Sequence, residues 1–170
     1  MTGRVERLWI VAEAAAPMES VPSVRAVPGG LVGDRYLTGE GYYSPFDVCE
    51  VTFVAREDLD TIRETTGIDL SDGRHRRNVV LADVALDDLL ETRFRVGDAV
   101  FEGTRRRPPC THVEAVAEEE GLMAALRGRG GICADVVAGG SVAVGDEVTV
   151  VEDLSFDGEG LAEAIRERRE

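Results

Sequence analysis

Cys110 is preceded by Arg105-Arg106-Arg107-Pro108-Pro109 and followed by Thr111-His112. The prolines fix the entry to a helix predicted over Thr111–Glu120, which puts Cys110 near that helix's N-cap. A helix start and adjacent guanidinium groups both favour thiolate over thiol. A thiolate there can attack an electrophile, carry sulfur as a persulfide, or ligate a soft transition metal. His112 stands two residues on, as a proton partner or a simple helix residue. The other two cysteines sit in apolar runs, Cys49-Glu-Val-Thr-Phe-Val and Gly-Ile-Cys133-Ala-Asp-Val-Val, and read as small buried strand residues. Three widely spaced cysteines with no CxxC or HxxxH pair make neither a disulfide framework nor a structural zinc site.

Charge supplies the second clue. The 170 residues carry 33 acidic and 19 basic side chains, net −14, and every basic residue is arginine. Without lysine there is no Schiff base and no phosphate-loop lysine on this chain. Such acidity opposes non-specific nucleic-acid binding. An acid-rich, lysine-free surface suits a salt-filled cytoplasm, where screening relieves self-repulsion; codon bias exchanging Lys for Arg would not supply the acid excess. Residues 1–73 and 134–170 each carry net −7, whereas 74–133 balance at zero. Within that neutral stretch arginines cluster as Arg74, Arg76, Arg77, then Arg105–Arg107, then Arg127 and Arg129. The clusters suggest an anion site, or ion pairs with carboxylates of neighbouring strands. Arg129 with Gly130-Gly131 could let backbone approach an anion closely, or lie solvated on a loop. Asn78 is a candidate amide for hydrogen bonding to a ligand, or a strand-end cap. His75 reads as a surface or packing residue, and Asp34 as a turn former.

The elements that must position these groups are mostly strands. Alternation and β-branched residues predict them near Val5–Ala12, Val21–Val27, Glu50–Ala55, Arg77–Leu81, Arg93–Val96, Ala99–Arg105, Ile132–Val137 and Glu147–Glu152. Helices are expected at Arg56–Thr66, Thr111–Glu120, Leu122–Leu126 and Gly160–Arg169, with one short turn at Asp87–Glu91. Many short strands and few helices make the fold mainly β, a barrel-like core with peripheral helices. Pro28–Phe46 reads as one long, glycine-rich loop carrying Asp34, Arg35 and Tyr36. The length gives one domain, residues 1–152, followed by an acidic, polar helical tail at 153–170. No run approaches the ~18 apolar residues of a membrane helix. Glu6 and Glu13 interrupt the N-terminal stretch where a secretory signal would be apolar, so a cytoplasmic protein is expected.

The residues Arg74-His75-Arg76-Arg77-Asn78-Val79-Val80, Phe94-Arg95-Val96-Gly97-Asp98-Ala99-Val100-Phe101-Glu102-Gly103, Pro109-Cys110 and Gly131-Ile132-Cys133-Ala134-Asp135-Val136 through Val144-Gly145-Asp146 together resemble the MOSC domain, named for the molybdenum cofactor sulfurase C-terminal domain. Val27-Pro28-Gly29-Gly30-Leu31-Val32-Gly33-Asp34-Arg35-Tyr36 and Glu50-Val51-Thr52-Phe53 fit its stand-alone members. The resemblance implies a closed barrel of the pyruvate-kinase-barrel-like type. It also implies that Cys110 is the key residue: a molybdenum ligand in amidoxime-reducing members, a sulfur carrier in sulfurase-type ones. Arg76 and Asn78 match the family's Arg-x-Asn strand motif, with Arg77 between them where amidoxime-reducing members have proline.

A molybdenum–molybdopterin cofactor asks for guanidinium groups, an amide and an open soft-ligand position, which Arg74, Arg76, Arg77, Asn78, Arg129 and Cys110 could supply. The implied activity is reduction of small N-hydroxylated compounds such as hydroxylaminopurines or amidoximes, with electrons from a separate donor protein. The alternatives are a persulfide carrier on Cys110, served by a separate pyridoxal-phosphate cysteine desulfurase, and a non-catalytic cofactor carrier. Pyridoxal phosphate would belong to that partner, because this chain has no lysine to hold it as an internal aldimine.

Overall fold

The structure is a computed structural model that describes residues 3–13, 16–38, 49–107 and 111–154, with the side chains at 38, 111 and 112 outside that set. Cys110 and the predicted helix Gly160–Arg169 lie outside the described residues.

Seven strands close on themselves: β1 (Gly3–Ile10), β5 (Val51–Ala55), β6 (Val79–Ala82), β7 (Thr92–Val96), β8 (Ala99–Arg106), β9 (Ile132–Ala138) and β11 (Glu147–Asp153). Around the barrel the order is β11-β7-β8-β9-β5-β6-β1, and β1 returns to β11 through Gly3↔Val148 and Arg4↔Glu147. All these pairings are antiparallel except β5 with β6. That parallel pair needs a crossover, which α2 (Arg56–Thr66) begins. Gly67 ends α2 in the left-handed conformation at φ 79°, its N–H bonded to Arg63 O.

Period-two alternation fills the barrel. Val51, Phe53 and Ala55 of β5 point inward with Val79, Leu81, Ile132 and Ala134. Phe53, Phe94 and Phe101 meet at ring separations of 5.3–5.8 Å and plug the interior. The outward side chains of β5, Thr52 and Val54, are buried too. Val54 packs with Trp9 and Val80 in a separate apolar cluster. A third cluster joins Ile62 of α2 to Val113 of α3 (Thr111–Ala117) and to Leu122 and Leu126 of α4 (Leu122–Leu126). A central strand covered on both faces explains the unbroken apolar run from Val51 to Ala55.

Several elements depart from the sequence reading. Pro28–Phe46 is not one structureless loop: β4 (Gly30–Leu31) and the single turn α1 (Arg35–Thr38) lie within it. Asp34 orders that turn by accepting the Tyr36 N–H at 3.2 Å. The short β10 (Gly140–Ala143) pairs with β3 (Ser23–Val27), and β3 with β4, in a second small sheet; β2 (Glu19–Ser20) pairs with the end of β1. β6 begins at Val79 rather than Arg77, because Arg76 adopts φ 68° and cannot lie in a ladder. α3 stops at Ala117, where Glu118 turns left-handed at φ 53°. Glu114 then reaches across to accept the N–H groups of Gly121 and Met123, each at 3.1 Å, at the start of α4. Among the described residues no helix is long and apolar enough to cross a membrane.

Candidate functional site

Of the predicted site residues, Arg76, Arg77 and Asn78 lie in the buried turn that leads into β6. Asn78, fully buried, is the hub. Its Nδ2 donates to Trp9 O and to Asp34 Oδ1, each at 3.1 Å. Its Oδ1 accepts from Thr52 N at 3.1 Å and Thr52 Oγ1 at 3.0 Å. The amide is thereby spent within the protein, so Asn78 holds the turn before β6 in place.

Asp34 is equally enclosed. Its Oδ1 also accepts from Val11 N at 3.2 Å and from Arg35 Nη1 at 3.1 Å. Arg35 in turn donates through Nη2 to Arg76 O at 3.2 Å, and its guanidinium lies 4.5 Å from the Tyr36 ring. From the far side, Arg107 Nη2 donates to Tyr36 Oη at 3.1 Å. The sequence names Arg35 and Tyr36 only as residues of a long loop and Arg107 only as one of an arginine cluster, and gives Thr52 no role of its own. The signal available was the Gly33-Asp34-Arg35-Tyr36 run in an otherwise featureless segment, plus the third arginine before Cys110.

The arginine clusters do not survive as units. Arg74 is half-buried, pairing with Asp72 at 2.9 Å and Glu119 at 3.6 Å, and Arg106 pairs with Asp87 at 2.7 Å. These two follow the ion-pair alternative. Arg77, 2 % exposed, is a clamp: Nε donates to Gly130 O at 2.9 Å and Nη1 to His75 O. The clamp fixes the glycine turn, where a Cβ on Gly131 would fall 1.8 Å from Phe53 O. Arg129 is half-buried, and its charge acts on Asp58 of α2. His75 is a buried packing residue, edge-on to Trp9 at 6.2 Å, and its Nδ1 accepts the Arg77 N–H at 2.9 Å. Burial first, then the Arg77 and Arg76 charges, lower its pKa to about 3, so it is neutral at pH 7.

Arg76 behaves differently. It is 7 % exposed, donates to Ala16 O, and lines a cavity of about 220 Å³ with Arg74, its ion-pair partner Asp72, Gly73, Met18 and Val116 of α3. Burial, then the neighbouring Arg35 charge, lower its pKa to about 10. A cation so placed gains from an incoming anion, which offsets both penalties at once. Backbone of α3 is described from residue 111, and Cys110 immediately precedes it; the side chain of His112 is outside the described set. Between α2 and the end of β8 lies a larger cleft of about 720 Å³, lined by Glu57, Asp58, Asp83 and Asp87 together with Arg106 and Arg107.

Fold and site thus define a small closed β-barrel with helices on one flank and a buried arginine lining a small cavity. The MOSC domain family model matches residues 46–149, and the chain belongs to that family. Among solved structures it is similar to the YUAD protein from Bacillus subtilis, at 20% identity and TM-score 0.74, covering 89% of this chain and 97% of that one. It is also similar to YiiM from Geobacillus stearothermophilus, at 17% identity and TM-score 0.66, over 88% of this chain and 75% of that one. YiiM from Escherichia coli gives 18% identity and TM-score 0.65, over 95% and 76%. At these identities the likeness is one of fold. No curated protein matches the sequence.

Proposed function

We propose that this protein binds a molybdenum–pterin cofactor through Cys110 and serves as a reductase of small N-hydroxylated compounds, of the hydroxylaminopurine or amidoxime type. The observation that carries the reading is Arg76, a buried guanidinium beside a second one, lining a cavity against the helix that follows Cys110. The donor set fits the group: guanidinium for phosphate and a thiolate for a soft metal. When bound, the cofactor would supply two-electron redox chemistry. Arg76, with Arg74 beside it, would hold the phosphate end, and Cys110 the metal. Arg77 and Asn78 position, by fixing the Gly130 backbone and the Arg76 turn. Arg129 would add charge at the glycine turn, and His112 would carry a proton to the departing oxygen. The balance is R–NHOH plus two electrons and two protons to R–NH2 and water. Electrons come from a separate donor protein, and the setting is a salt-rich cytoplasm.

The test is bound molybdenum and pterin per chain, after purification in high salt from a cofactor-competent host. Wild type should carry both near stoichiometrically, Cys110→Ala neither, and Arg76→Asn, which tolerates the left-handed backbone, substantially less pterin. Loaded wild type should then oxidise a reduced viologen when an amidoxime is added. Wild type without cofactor, or Cys110→Ala with undiminished molybdenum, would overturn the proposal.

A further inference from the structure

Trp9, Leu70, His75 and Val80 form the buried floor of a second cavity, of about 210 Å³, between β1 and α2. It shares no lining residue with the cavity at Arg76. His75 leaves one hydrogen bond open there. Its Nδ1 accepts the Arg77 N–H at 2.9 Å, so the ring proton sits on Nε2. Among the described residues that N–H has no acceptor, although His75 is only 1% exposed. The Trp9 ring centroid, 6.2 Å from that of His75, is beyond the reach of an N–H···π contact. Nε2 is not sealed off either: it keeps a trace of accessible surface, and the cavity is where His75 meets solvent. Buried donors without partners are rare, and each asks for an explanation.

The rim has cations to spare. Arg7 and Arg63 are exposed and form no ion pair among the described residues, and the Arg7 guanidinium lies 5.9 Å from the Trp9 ring centroid. The carboxylates that line the cavity are already engaged. Glu6 Oε1 accepts from Arg4 and from Arg56, each at 2.8 Å, and Asp60 pairs with Arg56 at 3.7 Å. Asp69 accepts the Ser71 N–H at 2.9 Å, with Arg63 beyond ion-pair distance. In a chain with 33 acidic side chains and 19 basic ones, two arginines without a carboxylate on one rim mark a place for an incoming anion. We infer that this cavity binds a small aromatic carboxylate, its ring among Trp9, Leu59 and Val80, one carboxylate oxygen on His75 Nε2–H, and its charge answered by Arg7 and Arg63. The apolar floor calls for a ring, the open N–H for an acceptor oxygen, and the unpaired guanidinium groups for negative charge. The volume leaves room for about ten non-hydrogen atoms, a single ring with its carboxylate, and excludes a nucleotide or a pterin. None of this rests on the proposed cofactor chemistry.

Trp9 is the chain's one tryptophan, so its fluorescence reports on the cavity directly. Benzoate is the probe, titrated into the whole chain under selective tryptophan excitation, with calorimetry for the stoichiometry. The expected result is a saturable change in Trp9 emission, one site per chain, with a Kd of about 1 mM or tighter. Benzamide, the neutral counterpart, should bind at least about tenfold more weakly. Arg7→Gln combined with Arg63→Gln, both on the surface, should weaken benzoate about tenfold or more. His75→Asn should do the same, since its Oδ1 can still accept the Arg77 N–H while the Nε2 donor is gone. If that variant does not fold, the arginine pair and the benzamide comparison decide alone. Emission that changes without saturating up to about 20 mM, benzamide binding as tightly as benzoate, or an affinity that the arginine pair leaves unchanged would each overturn the inference.

Discussion

Replacing Asn78 by Asp tests the buried hub with an almost isosteric change. Oδ1 keeps its bonds to Thr52, but the Nδ2 donors to Trp9 O and Asp34 Oδ1 become an oxygen facing two acceptors. Asp34 Oδ1 keeps Val11 N and Arg35 Nη1, and a neutral carboxyl has one O–H to give, so one donor is lost at about 1–3 kcal/mol. A second carboxyl at hydrogen-bond distance from Asp34 must stay protonated, at ~1.4 kcal/mol per pH unit above its unfolded value. Held neutral at pH 8, about four pH units above ~3.9, the carboxyl alone costs roughly 5–6 kcal/mol, and the lost donor brings the total to roughly 6–9 kcal/mol, a large share of the ~5–15 kcal/mol typical of a domain. The sign with pH is distinctive. The introduced carboxyl has a folded pKa raised above its unfolded ~3.9, so in that window the folded state binds the extra proton. The variant therefore regains stability relative to wild type as pH falls from 8 toward 5, by up to ~1.4 kcal/mol per unit. Urea unfolding of both proteins at pH 8, 7, 6 and 5 reads this directly. A gap below about 1 kcal/mol at pH 8, or one constant across the series, would refute the network as the source of rigidity.

Three other perturbations separate the remaining arguments. His75, neutral with a folded pKa of about 3, makes the folded state bind fewer protons than the unfolded one between about 6.5 and 3. Its contribution is lost as pH falls through that window, and His75→Gln should flatten the stability profile there by up to ~1.4 kcal/mol per unit, measured against wild type; parallel profiles would contradict it. Gly131→Ala forces a Cβ to 1.8 Å from Phe53 O and should yield no folded protein, whereas Gly67→Ala, at φ 79° with nothing near its Cβ, should cost only ~1–2 kcal/mol; similar thermal shifts for the two would count against the close approach. With net −14, the melting temperature should rise by about 5 °C or more between low salt and 2 M KCl, and a flat series would remove self-repulsion as the dominant surface term.

The strands were legible because a barrel with a packed interior imposes strict alternation, and α2 is read to the residue because Gly67 announces its end. β10 was not, because Gly139-Gly140 looks like a turn. Gly140 is instead there for contact: a Cβ would come within 2.5 Å of the Asp98 backbone. The turn before β6 was misread for a similar reason, since nothing in Arg76-Arg77-Asn78 declares that Arg76 turns left-handed. The arginine clusters were visible as clusters, yet sequence neighbours separated to different tasks: Arg74 to carboxylates, Arg77 to carbonyls, Arg76 to the cavity. The Arg107–Tyr36 contact depends on where β8 ends and on a single-turn helix 71 residues earlier. Local pattern carries none of that.

The seam of the barrel joins β1, begun at the third residue, to β11, whose last residue is Asp153. A ribosome must therefore release nearly the whole described chain before the ring can close. Until β11 emerges, β7 offers an unpaired edge to solvent and to neighbouring nascent chains. The same adjacency makes the two ends of the barrel sequence neighbours in space. A chain reopened at Gly67, with Asp153 joined to Gly3 by a short linker, would close its seam just past the middle of synthesis and leave the β5–β6 crossover for last.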